Sequence, residues 1–193
     1  IVGFNRRFAP HIVRIKTLLE ARRQPKSFII TVNAGAVPPD HWTQNPEVGG
    51  GRIIGEACHF IDLMRFLSDS PINEWSVQSM DDGTLKDKVT INLIFKDGSL
   101  GSIHYLANGS KRFPKERVEV FCGGSIIQLD NFRKMKGYGW AGFNKMNLWR
   151  QDKGHKLEIQ TFLDSVRFGK QSPISINELI EETRITLEIT NSL

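Results

Sequence analysis

The sequence predicts an α+β domain: a largely antiparallel open sheet with helices packed on one face. Three observations carry that prediction. Strand-like runs follow one another from Trp75 to Leu129 without alternating with helices, which argues against a parallel doubly wound sheet. Two turn signals, Lys96-Asp97-Gly98 and Gly123-Gly124, punctuate those runs as hairpins. Apolar stripes at helical spacing are confined to the first third of the chain and to its end.

Ile1 to Phe4 is short, apolar and partly β-branched, and reads as the end of a strand belonging to whatever precedes it. Pro10 opens a helix over His11–Ala21, with Ile12, Ile15, Leu18 and Leu19 on one side. Ser27–Ala34, rich in Ile, Thr and Val, is the first full strand. Gly35–Gly51 is a long irregular stretch holding His41, Trp42 and three consecutive glycines; a loop of that length with aromatic content points to function rather than disorder. Arg52–Ser68 is the clearest helix, its stripe formed by Ile54, Ala57, Cys58, Ile61 and Met64. Strands follow at Trp75–Ser79, Val89–Phe95, Ser99–Ala107, Val118–Phe121 and Ser125–Leu129. Asn131–Gln151 reads as an excursion over the sheet. Two helices close the chain: His155–Phe168, with Leu157, Phe162, Leu163 and Val166 inward, and Asn177–Ser192. Ser175 and Glu178 form a capping-box pattern at the start of the second.

With 193 residues and 39% apolar side chains, the chain is long enough for one domain with a substantial core. A net charge of +5 suits an anionic ligand or an acidic partner, but the basic residues are spread out and lack the basic and aromatic pattern of a nucleic-acid binder. Cys58 and Cys122 are far apart in apolar surroundings, as reduced cysteines are, and imply a cytoplasmic setting. No run approaches the roughly 20 apolar residues of a membrane span. A start on Ile-Val-Gly-Phe without Met reads as part of a longer chain. No metal is expected, because His41, Glu56, Cys58 and His59 offer no spacing that puts three ligands on one face.

Val2-Gly3-Phe4-Asn5-Arg6-Arg7-Phe8, then Pro10, Gly49-Gly50-Gly51, Glu56 and His59-x-x-Asp62 occur in this order. A Lys-Gly-His element precedes a helix with Phe162, and Pro173-Ile174-Ser175 precedes the last helix. In these features the chain resembles, from end to end, the second domain of the glucose-fructose oxidoreductase/inositol dehydrogenase (Gfo/Idh/MocA) family. The resemblance implies that residues 1–8 end the crossover from a Rossmann domain absent from this chain, and that 9–193 form the C-terminal substrate and oligomerisation domain. It implies an NAD(P)-dependent oxidoreductase acting on a sugar, sugar nucleotide or polyol, and a homo-oligomer assembled through the open sheet. The cofactor, NAD or NADP, would be bound mainly by the absent domain. Neither G-x-G-x-x-G after a strand nor the family's Glu-Lys-Pro motif with its catalytic lysine occurs in this chain.

By the same resemblance His59 is the catalytic candidate, exchanging the substrate hydroxyl proton as hydride leaves the same carbon; imidazole has the near-neutral pKa this needs. On an ideal helix His59 shares a side with Gly55 and Asp62, away from the apolar stripe, and Glu56 lies about 100° around from Gly55. Gly55 stands where many members carry Asp, which leaves open a redirected substrate class or lost activity. Asn5 and Arg7 are candidate substrate ligands and Arg6 a cofactor contact, or all three are hinge ion pairs. His41 and Trp42 form a sugar-stacking wall or anchor their loop. Glu56 and Asp62 complete the candidate substrate set. The Gly49–Gly51 run is an entry to the His59 helix, not a phosphate loop, since no Lys-Ser/Thr follows. A second function class stays open: a non-catalytic binding or assembly module of the same fold.

Overall fold

In a computed structural model, described over residues 2–45, 47–81 and 86–193, one eight-stranded sheet forms the body of the chain. The strands are β1 (Ser27–Asn33), β2 (Ile72–Ser79), β3 (Lys88–Phe95), β4 (Leu100–Leu106), β5 (Glu116–Cys122), β6 (Ser125–Asp130), β7 (Lys134–Tyr138) and β8 (Lys145–Asn147). Their spatial order is β2-β3-β4-β1-β5-β6-β7-β8. β1 lies between β4, its parallel partner, and β5; every other neighbouring pair is antiparallel. The β5–β6 turn has Gly123 and Gly124 at φ 53° and 77°, the left-handed pair a two-residue hairpin needs.

Side chains alternate across the sheet. Phe28, Ile30 and Val32 of β1, Ile91 and Leu93 of β3, and Val118 and Val120 of β5 are buried on one face. Helices α1 (Pro10–Glu20), α2 (Cys58–Ser68) and α4 (Ile176–Asn191) complete the core with Ile12, Ile15, Phe60, Met64, Ile185 and Ile189. Each such side chain contributes about 1.5–3 kcal/mol by leaving water. The other face mixes Thr31, Thr90 and Ser102 with partly exposed Ile29, Ile94 and Leu100. Among the described residues no helix is long and apolar enough to cross a membrane.

The structure departs from the sequence reading in four places. Val2–Phe4 is irregular rather than strand and leads into a 3-10 turn, Asn5–Phe8; Ile1 lies outside the described residues. Residues 134–147 extend the sheet as β7 and β8 instead of crossing over it. The β6–β7 turn carries no glycine, its left-handed residues being Asn131 and Phe132, both at φ 50°; Met135, fully buried, anchors β7 between exposed lysines. The helix α3 (His155–Arg167) turns its expected inward residues Leu157, Leu163 and Val166 outward and buries Glu158 and Ser165. It packs at its start on the 3-10 turn rather than lying on the sheet. Finally, Ile53–Ala57 is π-helical, so Ile53 is buried in place of Ile54, and the 100° wheel does not run unbroken into α2.

Candidate functional site

The stretch between β1 and α2 folds back so that its aromatic pair meets the start of the π turn. His41 Nδ1 lies 2.9 Å from Thr43 Oγ1 and caps the 3-10 turn Trp42–Gln44. Gly49 sits against that turn: a Cβ there would come within 2.5 Å of Thr43 Cα and 2.6 Å of the Trp42 carbonyl oxygen, so only glycine allows the approach. Arg52 then ties the loop down, donating from Nη1 to the Gly35 carbonyl at 2.6 Å and from Nη2 to Ala34 at 3.2 Å.

The result is a cleft of about 490 Å³ whose walls include Asn5, Arg6, His41, Trp42, Arg52, Gly55, Glu56, His59, Lys153 and His155. Of the sequence candidates it therefore brings together Asn5, Arg6, His41, Trp42, Glu56 and His59. Trp42 is 62% exposed, with its ring 5.9 Å from that of His41. Gly55, where a family Asp is expected, is exposed beside His59.

His59 is half-buried, its ring edge-to-face with Phe4 at 6.0 Å, and its Nδ1 is buried with no hydrogen-bond partner among the described residues. Burial, and then the Arg6 cation, lower its pKa to about 4, below the near-neutral value expected from the sequence, so the imidazole is neutral at physiological pH but a weaker base than a free histidine. The adjacent Cys58 thiol is pushed up to about 12 by burial, which makes it a poor nucleophile.

Two carboxylates brace the cleft. Burial alone would raise the pKa of Glu56, but Lys115, the Tyr105 hydroxyl donating at 2.5 Å and Arg52 at 3.2 Å outweigh it and hold the carboxylate at about 2. Behind the opposite wall the fully buried Glu116 takes Arg6 Nη2 at 2.9 Å and Lys153 Nζ at 2.9 Å. Asn5 donates to the Lys153 carbonyl at 2.7 Å. Next to it Gly154, at φ 89°, lies so close to the 3-10 turn that a Cβ would meet Asn5 O at 2.3 Å. Lys153 and His155 are cleft residues that the sequence reading did not single out. Their Lys-Gly-His setting was visible, but its place opposite His59 depends on this glycine contact.

Arg7 and Asp62, expected as substrate ligands, are not on the cleft walls. The guanidinium of Arg7 donates from Nη2 to Asp62 at 2.5 Å and to Glu182 at 3.0 Å, and from Nη1 to Glu178 at 2.8 Å. Asp62 and Glu182 are fully buried in this cluster. Burial opposes the charge on Arg7, but the surrounding carboxylates raise its pKa. The pair ties α2 to α4 behind His59.

The family model for the GFO/IDH/MocA C-terminal domain matches residues 15–127. Over its whole length the chain is 23% identical to the oxidoreductase YrbE of Bacillus subtilis, covering 60% of that protein. Inositol 2-dehydrogenase of Rhizobium meliloti is 22% identical across 92% of the chain and 58% of that enzyme. Among solved structures, UDP-N-acetylglucosamine 3-dehydrogenase from Acidithiobacillus ferrooxidans superposes with a TM-score of 0.75 at 16% identity, over 99% of this chain and 60% of that one. The chain thus spans about 60% of the length of the relatives it matches.

Proposed function

The chain belongs to the GFO/IDH/MocA family as its C-terminal domain, and from that premise we propose that it forms the substrate side of an NAD(P)-dependent oxidoreductase acting on a sugar, sugar nucleotide or polyol hydroxyl. The observation that carries the proposal is the placement of His59, an imidazole on the wall of a cleft faced by Trp42 and Asn5. Enzymes named for inositol and for a UDP-sugar among the relatives support the substrate class.

In this reading the nicotinamide cofactor, held chiefly by the part of the enzyme outside this chain, supplies the hydride acceptor. The residues here suit that division: they offer a base and polar walls, and no glycine-rich phosphate cradle follows a strand. His59 takes the hydroxyl proton as the carbinol C–H bond gives up its hydride, so that alcohol becomes ketone. Trp42 lies against the sugar's C–H face, and Asn5 fixes an hydroxyl. Glu56, already bound by three donors, holds Arg52 and the cleft floor in place rather than accepting a proton. In the enzyme carrying this domain, His59→Ala should abolish hydride transfer while cofactor affinity is kept; retained turnover would overturn the assignment.

The same reading places the open sheet face, with Ile94 44% and Leu100 52% exposed, at an interface between copies. Ile94→Glu should lower the oligomeric state seen by analytical ultracentrifugation, and an unchanged state would refute that interface. The free thiols Cys58 and Cys122 agree with a reducing, cytoplasmic setting.

A further inference from the structure

The charge of the cleft narrows the substrate class. Its walls and their immediate partners carry four cations, Arg6, Arg52, Lys115 and Lys153, against two carboxylates, Glu56 and Glu116. Each of these carboxylates is therefore shared by two cations; with Asp152, bonded to the Gly154 N–H on the same wall, as a third anion, a surplus of one positive charge remains. Arg6 is the unusual member. Its side chain is 6% exposed and lines the cleft, its Nη2 is held by Glu116, and its buried Nε has no hydrogen-bond partner among the described residues. α3 begins on the same wall at His155, but Asp152 Oδ1 accepts the Gly154 N–H at 2.8 Å and the buried Glu158 lies in its first turn, so carboxylates already answer the positive end of its dipole and the attraction rests on the side-chain cations.

On this basis, which rests on the sugar-substrate reading above, we propose that the substrate is an acidic sugar, bearing a carboxylate or a phosphate. That group is held between Arg6 and Lys153 at the start of α3, opposite His59. Lys153 is then a specificity-determining residue: it is less buried than Arg6 and, with three donors, can hold Glu116 and a ligand oxygen at once. A neutral polyol would leave the surplus charge unanswered.

The test uses the chain as it stands and follows the backbone amides of Gly51 and Gly55 by NMR during titration with D-glucose, D-glucuronate and D-glucose 1-phosphate. At least one acidic sugar should bind about tenfold or more tighter than glucose, the worth of one charge-assisted hydrogen bond. That preference should fall with added salt, vanish in Lys153→Ala and survive in Lys153→Arg. The two acidic probes separate a carboxylate from a phosphate. Equal binding of glucose and both acidic sugars, or a preference unchanged in Lys153→Ala, would overturn the proposal and leave the sugar reading intact. Failure of all three sugars to bind would overturn both.

Discussion

Replacing Glu182 by Gln should make the protein more stable at neutral pH, and progressively so as pH rises. The reason lies in the arithmetic of one guanidinium. Arg7 faces Asp62, Glu178 and Glu182, and of these Asp62 and Glu182 are fully buried. Asp62 and Glu182 both accept from the same Arg7 Nη2, which sets the two carboxyl groups beside each other with one cation between them. Burial, and then the neighbouring Asp62, raise the pKa of Glu182 in the fold. Above the unfolded pKa of a glutamate, about 4.3, the folded state therefore holds a proton that the unfolded chain has released. Stability from this group is full below that pH and is lost as pH rises, by up to about 1.4 kcal/mol per unit for one proton. Gln keeps an oxygen for Arg7 and supplies an N–H where the proton was, and it does not titrate. Between pH 5 and 7 the variant should gain about 3 kcal/mol on the parent, or about 6–12 °C in Tm for a chain of this size. Thermal unfolding followed by circular dichroism at pH 5, 6 and 7 measures it. Parallel Tm curves, or a parent that gains on the variant as pH rises, would refute the reasoning by showing that Glu182 is ionised in the fold.

Other expectations follow from the same contacts. Arg7→Ala leaves buried carboxyl groups without their cation and should cost about 3–5 kcal/mol in urea unfolding at pH 7. Tyr105→Phe removes the hydroxyl that donates to Glu56 and should cost about 1.5–3 kcal/mol; an NMR titration should show the Glu56 pKa rising from about 2. Gly154→Ala meets both a left-handed φ and the Asn5 carbonyl oxygen at 2.3 Å, so it should destabilise by more than the ~1 kcal/mol of conformational strain alone, read from the urea midpoint. For catalysis, His59 must be neutral to act as base, and with its pKa lowered to about 4 the acid limb of kcat/KM in the enzyme carrying this domain should lie well below pH 6.5.

The sheet was legible wherever glycine marked its turns. Lys96-Asp97-Gly98 and Gly123-Gly124 announced two hairpins, and the Ser175/Glu178 cap announced α4, with the Glu178 amide donating to Ser175 Oγ at 3.2 Å. β7 was not legible, because Asn131 and Phe132 make its left-handed turn without glycine. Periodicity found α3 but not its orientation: an apolar stripe does not say what it faces, and Leu163 and Val166 face out. At the site, chain order placed His59, Trp42 and Glu56 together, since all lie within one loop and one helix. Arg7 and Asp62 escaped because their pairing spans 55 residues and depends on carboxylates of α4. Lys153 escaped because the close packing of Gly154 on the 3-10 turn is what carries it to the cleft.

In the proposed reaction His59 moves the proton as hydride is transferred. The most direct measurement is single-turnover reduction of NAD(P) by the enzyme carrying this domain, His59→Ala beside the parent, with cofactor affinity determined on both. In His59→Ala the chemical step should slow by about 10²-fold or more at unchanged cofactor affinity; an unaltered rate would contradict a proton-transfer role for His59.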